Sequence, residues 1–322
     1  MRTILVPLDG SAFAEHALRF ALGAARRTGA RLRLVSVYEG APPIRGGQGA
    51  LTFDTRLDAE LRAGLHAYLD DCRRRLGHAA PAVAVDTAVL DGAAAEAIAE
   101  HARASDAALV VLTTHGRRGL SRVWLGSVAD RVVRHATTPV FLVRASDAAA
   151  TRPSPRPRGV LVPLDGTTQG EEILEPLLEL LEVFSPEVTL LRVVRPVRTP
   201  QYVSTLGMPV LYPDQESTVL AIREARSYLD RIASRLRQAL PALRVTTRVE
   251  VDESASAAIV AASAECDLVA MATHGRGATR LVLGSVADKV MRGTDADLLL
   301  RRRLEDAPSA EREAERAAVG AG

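Results

Sequence analysis

One pattern occurs twice in this chain of 322 residues. ILVPLDGS near the N-terminus returns as VLVPLDGT, and THGRRGLSRVWLGSVADRVVR returns as THGRGATRLVLGSVADKVMR. Corresponding residues are 156 positions apart for Asp9 and Asp165, and 159 positions apart for His115 and His274. An offset this long and this steady predicts two homologous domains rather than a solenoid of short repeats.

Each half alternates predicted strands and helices. TILVPL and ALVVLTT are continuous apolar runs, which is typical of parallel strands covered on both faces. Between such runs, Ser11 is the predicted N-cap of the first helix, and the spacing from Thr168 to Glu171 predicts a capping box at its counterpart. We therefore predict an α/β chain of two tandem Rossmann-like domains, each an open parallel sheet with helices on both faces.

The domain boundaries follow from the repeat and from composition. We predict the first domain over residues 1–144 and the second over residues 159–303. Residues 145–158 contain alternating prolines, which favour an extended, semi-stiff linker. Residues 304–322 are rich in Ala, Glu and Arg and predict a flexible C-terminal tail.

Charge and composition exclude several partners. The formal net charge is only +2 and aromatic residues make up 3% of the chain, so we expect no nucleic-acid partner. No apolar run approaches the roughly 18 residues of a membrane helix, so we expect no membrane partner either. The chain enters a strand at once without a signal-peptide pattern, and it has two cysteines; both features favour the cytoplasm.

Several enzyme classes are excluded by missing motifs. The single lysine, Lys289, lies outside any GxxxxGK[ST] sequence, so the chain has no P-loop. GxGxxG follows neither first strand, which argues against a dinucleotide dehydrogenase. No Cys/His cluster has zinc-ligand spacing, and we predict no metal ligands. His115 and His274 do not belong to a carboxylate–histidine–nucleophile arrangement, so we predict no catalytic residues.

Candidate ligand-binding residues follow the first and fourth predicted strands of each half. Ligands of open α/β sheets bind at the carboxyl ends of the strands, where the strand order reverses. Asp9 and Asp165 end the first strands, and a Gly-Ser pair after each fourth strand opens a helix. A helix start presents unpaired N–H groups to an anion. A carboxylate beside such amides suggests a ligand with ribose and phosphate, although both features also occur as ordinary helix caps.

These motifs resemble those of the universal stress protein family, and the resemblance covers both halves. It implies a five-stranded parallel sheet of order 3-2-1-4-5 in each half, and two halves that meet along their fifth strands like a fused dimer. Nucleotide-binding members carry G-x-x-G-x9-G-S/T. The resemblance therefore implies an adenine nucleotide as ligand: ATP is expected first, AMP and cyclic AMP are alternatives, and a role for magnesium is left open.

The resemblance also implies which residues bind the nucleotide. In the first half adenine and ribose would lie near Asp9 and the Val37 backbone. The phosphates would be held by Gly116, Gly126, Ser127 and Val128, and the site also includes Thr113, at the position of the motif's leading glycine. The second-half counterparts are Asp165, Val193, Gly275, Gly284, Ser285 and Val286.

Both copies depart from the family motif. Thr113 stands where the leading glycine is expected in the first half, although nine residues still separate Gly116 from Gly126. In the second half Ala272 stands at the leading position and only eight residues separate the glycines. One residue fewer shifts the loop by up to roughly 3 Å, so we expect nucleotide binding mainly in the first half.

Three functions remain open at this point. The first is an adenine-nucleotide-binding regulator of the stress response that acts on an unidentified protein partner. The second is a nucleotide-free scaffold or interaction module, which the altered motifs favour. The third is a slow ATPase, for which the sequence displays no water-activating base. The fused pair could also form a homodimer.

Overall fold

The computed structural model describes residues 2–41, 44–45, 51–52, 54–115, 126–145, 157–203, 208–273 and 283–302. The first half contains these elements: β1 (Thr3–Pro7), α1 (His16–Thr28), β2 (Arg31–Tyr38), β3 (Ile44–Arg45), β4 (Leu51–Thr52), α2 (Thr55–Ala79), β5 (Val85–Asp91), α3 (Ala94–Ala104), β6 (Ala107–His115), α4 (Ser127–His135) and β7 (Val140–Ala145). The second half contains these: β8 (Gly159–Pro163), α5 (Thr168–Glu171), α6 (Leu174–Phe184), β9 (Glu187–Val194), β10 (Arg198–Val203), β11 (Met208–Pro213), α7 (Gln215–Ala239), β12 (Val245–Val251), α8 (Ala255–Ser263), β13 (Leu268–Ala272), α9 (Ser285–Gly293) and β14 (Asp297–Arg301).

Ten strands form one sheet in the order β12-β9-β8-β13-β14-β7-β6-β1-β2-β5. Counted along each half, its five strands have the order 3-2-1-4-5 and pair in parallel, which confirms the predicted fold. The two fifth strands, β7 and β14, pair antiparallel through Phe141 and Leu299 and the residues on either side. The two halves therefore meet along their fifth strands, as the family resemblance implies.

The hydrophobic core lies in two layers, one on each face of the sheet. One layer packs α1, α2, α6 and α7 against the strands, and the other packs α3, α4, α8 and α9. The first layer is continuous across the junction of the halves, where the Phe20 ring stacks on Phe141 at 3.6 Å between centroids and lies 5.8 Å from Phe184. Because strands and core both run through the junction, we expect the halves to unfold together.

A cluster of four charged side chains joins α4 to α9 at this junction. We call Asp130, Arg134, Asp288 and Arg292 the junction cluster. Arg134 binds Asp130 of its own helix at 2.8 Å and Asp288 of the other helix at 3.2 Å. Arg292 reciprocally lies 3.0 Å from Asp288 and 3.7 Å from Asp130. This exchange of equivalent contacts is the pattern of a two-fold interface.

Two helix starts differ from the sequence prediction. Thr167, not Thr168, caps the first helix of the second half: its Oγ1 accepts the Gly170 N–H at 3.0 Å, and Thr168 is the first residue of α5. In the first half Ser11 Oγ accepts the Ala14 N–H at 3.1 Å and caps the turn of residues 12–15 instead of α1 itself. A turn in the first half and the short helix α5 in the second half therefore lie between the first strand and the long helix.

Two hairpins were not predicted. β10 and β11 pair antiparallel over six residues each, and β3 pairs with β4 within the Gly/Pro-rich segment after β2. Proline in a strand argues against a central position in a sheet, and Pro200 and Pro209 lie in a two-stranded sheet, where every strand is an edge. Among the described residues, no helix combines the length and hydropathy that crossing a membrane requires.

Candidate functional site

The strand order reverses between β1 and β6 in the first half and between β8 and β13 in the second. From β1 the chain passes to α1 on one face of the sheet, whereas after β6 it returns as α4 on the other face. The carboxyl ends of β1 and β6 are therefore a topological switch point, which is where an open α/β sheet is expected to form a ligand crevice. We call this the first crevice, and the equivalent space beside β8 and β13 the second crevice.

Asp9 organises the turn at the edge of the first crevice. Its Oδ1 accepts the Ser11 N–H at 2.9 Å and the Ser11 hydroxyl at 2.6 Å, and Gly10 between them has a φ of +83°. Asp165 does the same in the second crevice with Thr167, at 3.0 and 2.6 Å. Each carboxylate thus supports its turn through one oxygen. The side chain of Asp9 is exposed.

The backbone of Val37 points past the end of β1. Alternate residues of a parallel strand direct their N–H and C=O groups to opposite neighbours. Arg31 donates to Arg2 and Val35 accepts from Leu8 at 2.8 Å, so the odd-numbered residues of β2 face β1. β1 ends before it reaches Val37. Val193 stands equivalently beside β8, since Leu191 accepts from Leu164 at 2.8 Å.

The helices α4 and α9 begin alike, each after a glycine. Gly126 has φ and ψ of −55° and 140°, and Gly284 has −57° and 139°. Neither helix start has a side-chain cap among the described residues, in contrast to the Asp-capped α2 and α7. The residues that follow the glycines, Ser127 and Ser285, are exposed. Val128 is 39% exposed although it is a large apolar side chain.

Thr113 forms a hydrogen bond between the two segments beside the first crevice. Its Oγ1 donates to the Ala14 carbonyl at 3.2 Å, and this hydrogen bond connects the end of β6 to the turn before α1. The side chain therefore lies toward α1. At the equivalent position Ala272 offers only a methyl group. Gly116 and Gly275 lie outside the described residues, as does the rest of each loop that leads to α4 and α9.

Comparison with known proteins establishes the family. The sequence model of the universal stress protein family matches residues 1–144 and again residues 157–302. The chain belongs to the universal stress protein family. Its fold and its duplication are therefore those of a tandem member, as the resemblance of the motifs predicts.

Individual relatives match one half or both halves of this universal stress protein. A universal stress protein of Thermus aquaticus is 34% identical over 146 residues, which are 44% of this chain and 98% of that protein. One from Mycobacterium tuberculosis is 30% identical over 199 residues, 62% of this chain and 63% of that protein. The solved structure of a universal stress protein from Archaeoglobus fulgidus covers 94% of this chain and 98% of its own, with a TM-score of 0.68 and 16% identity, so it supports the fold alone.

Sequence reasoning missed a group of polar side chains behind each turn of this universal stress protein. Glu15, directly after the Asp9 turn, receives two hydrogen bonds from Arg75 of α2 at 2.9 and 3.0 Å and one from Tyr68 at 3.2 Å. Hydrogen bonding from Arg75 lowers the pKa of Glu15, against an opposing effect of burial. The carboxylate therefore stays charged and fastens the turn to α2.

The second half repeats this group with the same residue types. Glu171 follows the Asp165 turn, and Arg235 of α7 donates to it at 2.5 Å. Tyr228 corresponds to Tyr68, and burial followed by the charge of Glu171 raises its pKa. The signal that could have found both groups is in the sequence, because Glu, Tyr and Arg recur at offsets of 156 and 160.

Proposed function

We propose that this universal stress protein binds an adenine nucleotide, ATP first, in the first crevice and that the bound state regulates a partner protein in the stress response. One observation carries the proposal. The Asp9 carboxylate, the Val37 backbone and the start of α4 all lie at the carboxyl edge of neighbouring strands, where the strand order reverses. The carboxylate suits the ribose, the Val37 backbone suits the adenine and the start of α4 suits the phosphates of a nucleotide.

Each group suits its part for a chemical reason. An N–H donor and a C=O acceptor on one residue, as in Val37, complement the donor and acceptor on the edge of an adenine ring. A carboxylate oxygen of Asp9 accepts a hydrogen bond from a ribose hydroxyl, as in other dinucleotide and nucleotide sites at switch points. The amides that open α4 and the Ser127 hydroxyl favour phosphate. The proposal includes no hydrolysis step and places the protein in the cytoplasm, in keeping with its two free cysteines.

Calorimetric titration with ATP, AMP and cyclic AMP, with GTP as the control for the base, tests the proposal. We expect ATP to bind and GTP to bind far more weakly, because guanine presents the opposite donor and acceptor pattern at the same edge. Absence of heat and of thermal stabilisation by every adenine nucleotide at millimolar concentration would refute the proposal. That result would favour the nucleotide-free scaffold.

Two matched substitutions locate the ligand. Gly126 and Gly284 have a φ that any residue adopts, so valine at either position leaves the backbone unstrained. We expect Gly126→Val to abolish most ATP binding by blocking the approach of phosphate, and Gly284→Val to leave it nearly unchanged. Asp9→Asn keeps an oxygen for the turn and removes the charge, and we expect it to weaken binding by about tenfold, or 1.4 kcal/mol. Equal losses at both glycines would place binding in both crevices.

A further inference from the structure

The two crevices differ at one position of the second strand. Val35 pairs with Pro7 in the first half and Leu191 with Pro163 in the second, so Ser36 and Arg192 occupy equivalent places. The hydroxyl of the buried Ser36 turns inward and donates to the Leu8 carbonyl at 2.8 Å. Ser36 therefore occupies little space at the end of β1.

Arg192 reaches the same carbonyl with a far longer side chain. Its Nη1 lies 3.5 Å from the Leu164 carbonyl oxygen, the counterpart of Leu8. The guanidinium then covers Gly166, the residue after Asp165. A methyl group built on Gly166 would lie 2.6 Å from Nη1 and 3.1 Å from Cζ. A methyl group built on Gly10 in the first half would meet nothing within 4 Å among the described residues.

The surroundings of Arg192 hold the guanidinium in place. It lies 5.8 Å from the centre of the Tyr228 ring on α7, within the range of a cation–π contact. After burial and the charge of Glu171, Arg192 and Asp165 also act on the pKa of Tyr228, with opposite signs. Arg192 therefore belongs to a group of interacting charges at the end of β8. A ligand would have to displace the guanidinium from that group.

We propose that Arg192 makes the two crevices unequal, because its guanidinium fills the space at the end of β8 and excludes an adenine ring from the second crevice. This inference rests on the proposed function. It assigns specificity to a side chain outside the glycine-rich loop. The loop of the second half is also one residue shorter, so the two effects must be separated by experiment.

Adenosine separates the effect of Arg192 from the effect of the shorter loop. It has no phosphate, so its binding does not depend on the loop between Thr273 and Gly284. Its stoichiometry is measured by equilibrium dialysis with the full chain and with Arg192→Ser, which installs the residue of the first half. We expect one adenosine per wild-type chain and two per Arg192→Ser chain. Arg231→Ser is the matched control, because the exposed Arg231 lies at the same 5.8 Å from the Tyr228 ring and is on α7 instead of β9.

Every outcome of this comparison decides between the two proposals. One adenosine in both wild type and Arg192→Ser overturns the role of Arg192 and leaves the proposed function standing. No adenosine in wild type and one in Arg192→Ser supports the role of Arg192 and refutes binding in the first crevice. No adenosine in either chain overturns the role of Arg192, and the titration with ATP, AMP and cyclic AMP then decides the proposed function. A second site that also appears in Arg231→Ser, or weaker binding in Arg192→Ser, likewise overturns the inference.

The reciprocal substitution provides an independent measurement. Ser36→Arg places a guanidinium at the end of β1, and we expect it to weaken ATP binding by at least about tenfold. Thermal unfolding checks that the variant is folded, since Ser36 is buried. A folded Ser36→Arg chain that binds ATP as tightly as wild type contradicts the inference.

Discussion

Replacing Arg134 with methionine tests whether the junction cluster stabilises the whole chain. The guanidinium makes three hydrogen bonds: two to Asp130 at 2.8 and 3.1 Å, and one across the junction to Asp288 at 3.2 Å. Methionine keeps most of the apolar stem of arginine, so the substitution removes mainly the charge and these bonds. Asp130 and Asp288 are left with Arg292 as the one remaining cation of the cluster.

The expected loss of unfolding free energy is about 2 kcal/mol. A hydrogen bond to a charged group contributes up to about 1.5–3 kcal/mol when it is sheltered from water. An exposed pair four residues apart on a helix contributes only about 0.3–0.5 kcal/mol. The side chains of Arg134, Asp130 and Asp288 are 25%, 23% and 31% exposed, which places the cluster between these limits.

Urea denaturation at neutral pH measures this loss. Arg56→Met is the control, because it removes an i,i+4 pair whose side chains are 88% and 63% exposed, and we expect no measurable change there. Hydrogen bonding from Arg292 and the charge of Arg134 lower the pKa of Asp288, so its contribution is present above its usual pKa and is lost as the pH falls through the lowered value. The effect of Arg134→Met should shrink over the same range. A loss no larger than that of Arg56→Met would refute the argument.

Two further predictions concern the N-cap of α5 and the pKa of His101 in the first half. Thr167→Ala should lower the free energy of unfolding by about 1 kcal/mol because it removes the N-cap, whereas Thr168→Ala should leave it nearly unchanged in the same urea titration. Burial, followed by the charge of Arg33, lowers the pKa of His101, which accepts a hydrogen bond from Arg33 at 2.8 Å. Its contribution to stability should be complete above about pH 6.5 and fall as the pH drops through the lowered value. Unfolding curves across this range measure the effect, and His101→Gln should remove it.

Much of the fold could be predicted because the strands are buried and the chain repeats itself. The residues of β1 are buried throughout, so the apolar run alone indicates a strand covered on both faces. The repeat predicts the same order of elements in each half. The hairpin of β10 and β11 was missed because prolines argue against a strand. The N-cap of α5 at Thr167 was missed by one residue because Thr168, with Glu171 three residues later, matches the capping-box pattern and Thr167 does not.

The site could be predicted less completely, because its details depend on where long side chains end. The sequence indicates that Thr113 replaces a glycine, but only the structure shows its hydroxyl bonded to Ala14. Arg192 occupies an ordinary strand position in the sequence. Its effect on Gly166 follows from the reach of its guanidinium from β9 to the end of the neighbouring strand β8. The assignment of nucleotide contacts to Gly116 and Gly275 stays a prediction.

The antiparallel pairing of β7 with β14 has a consequence for how such a protein can change. Two identical subunits that met along the same strands would carry every substitution twice, once in each subunit. A single chain that contains both partners can carry an arginine at residue 192 and a serine at the equivalent residue 36. The covalent connection thus allows the two halves to differ in sequence while the shared sheet holds them together.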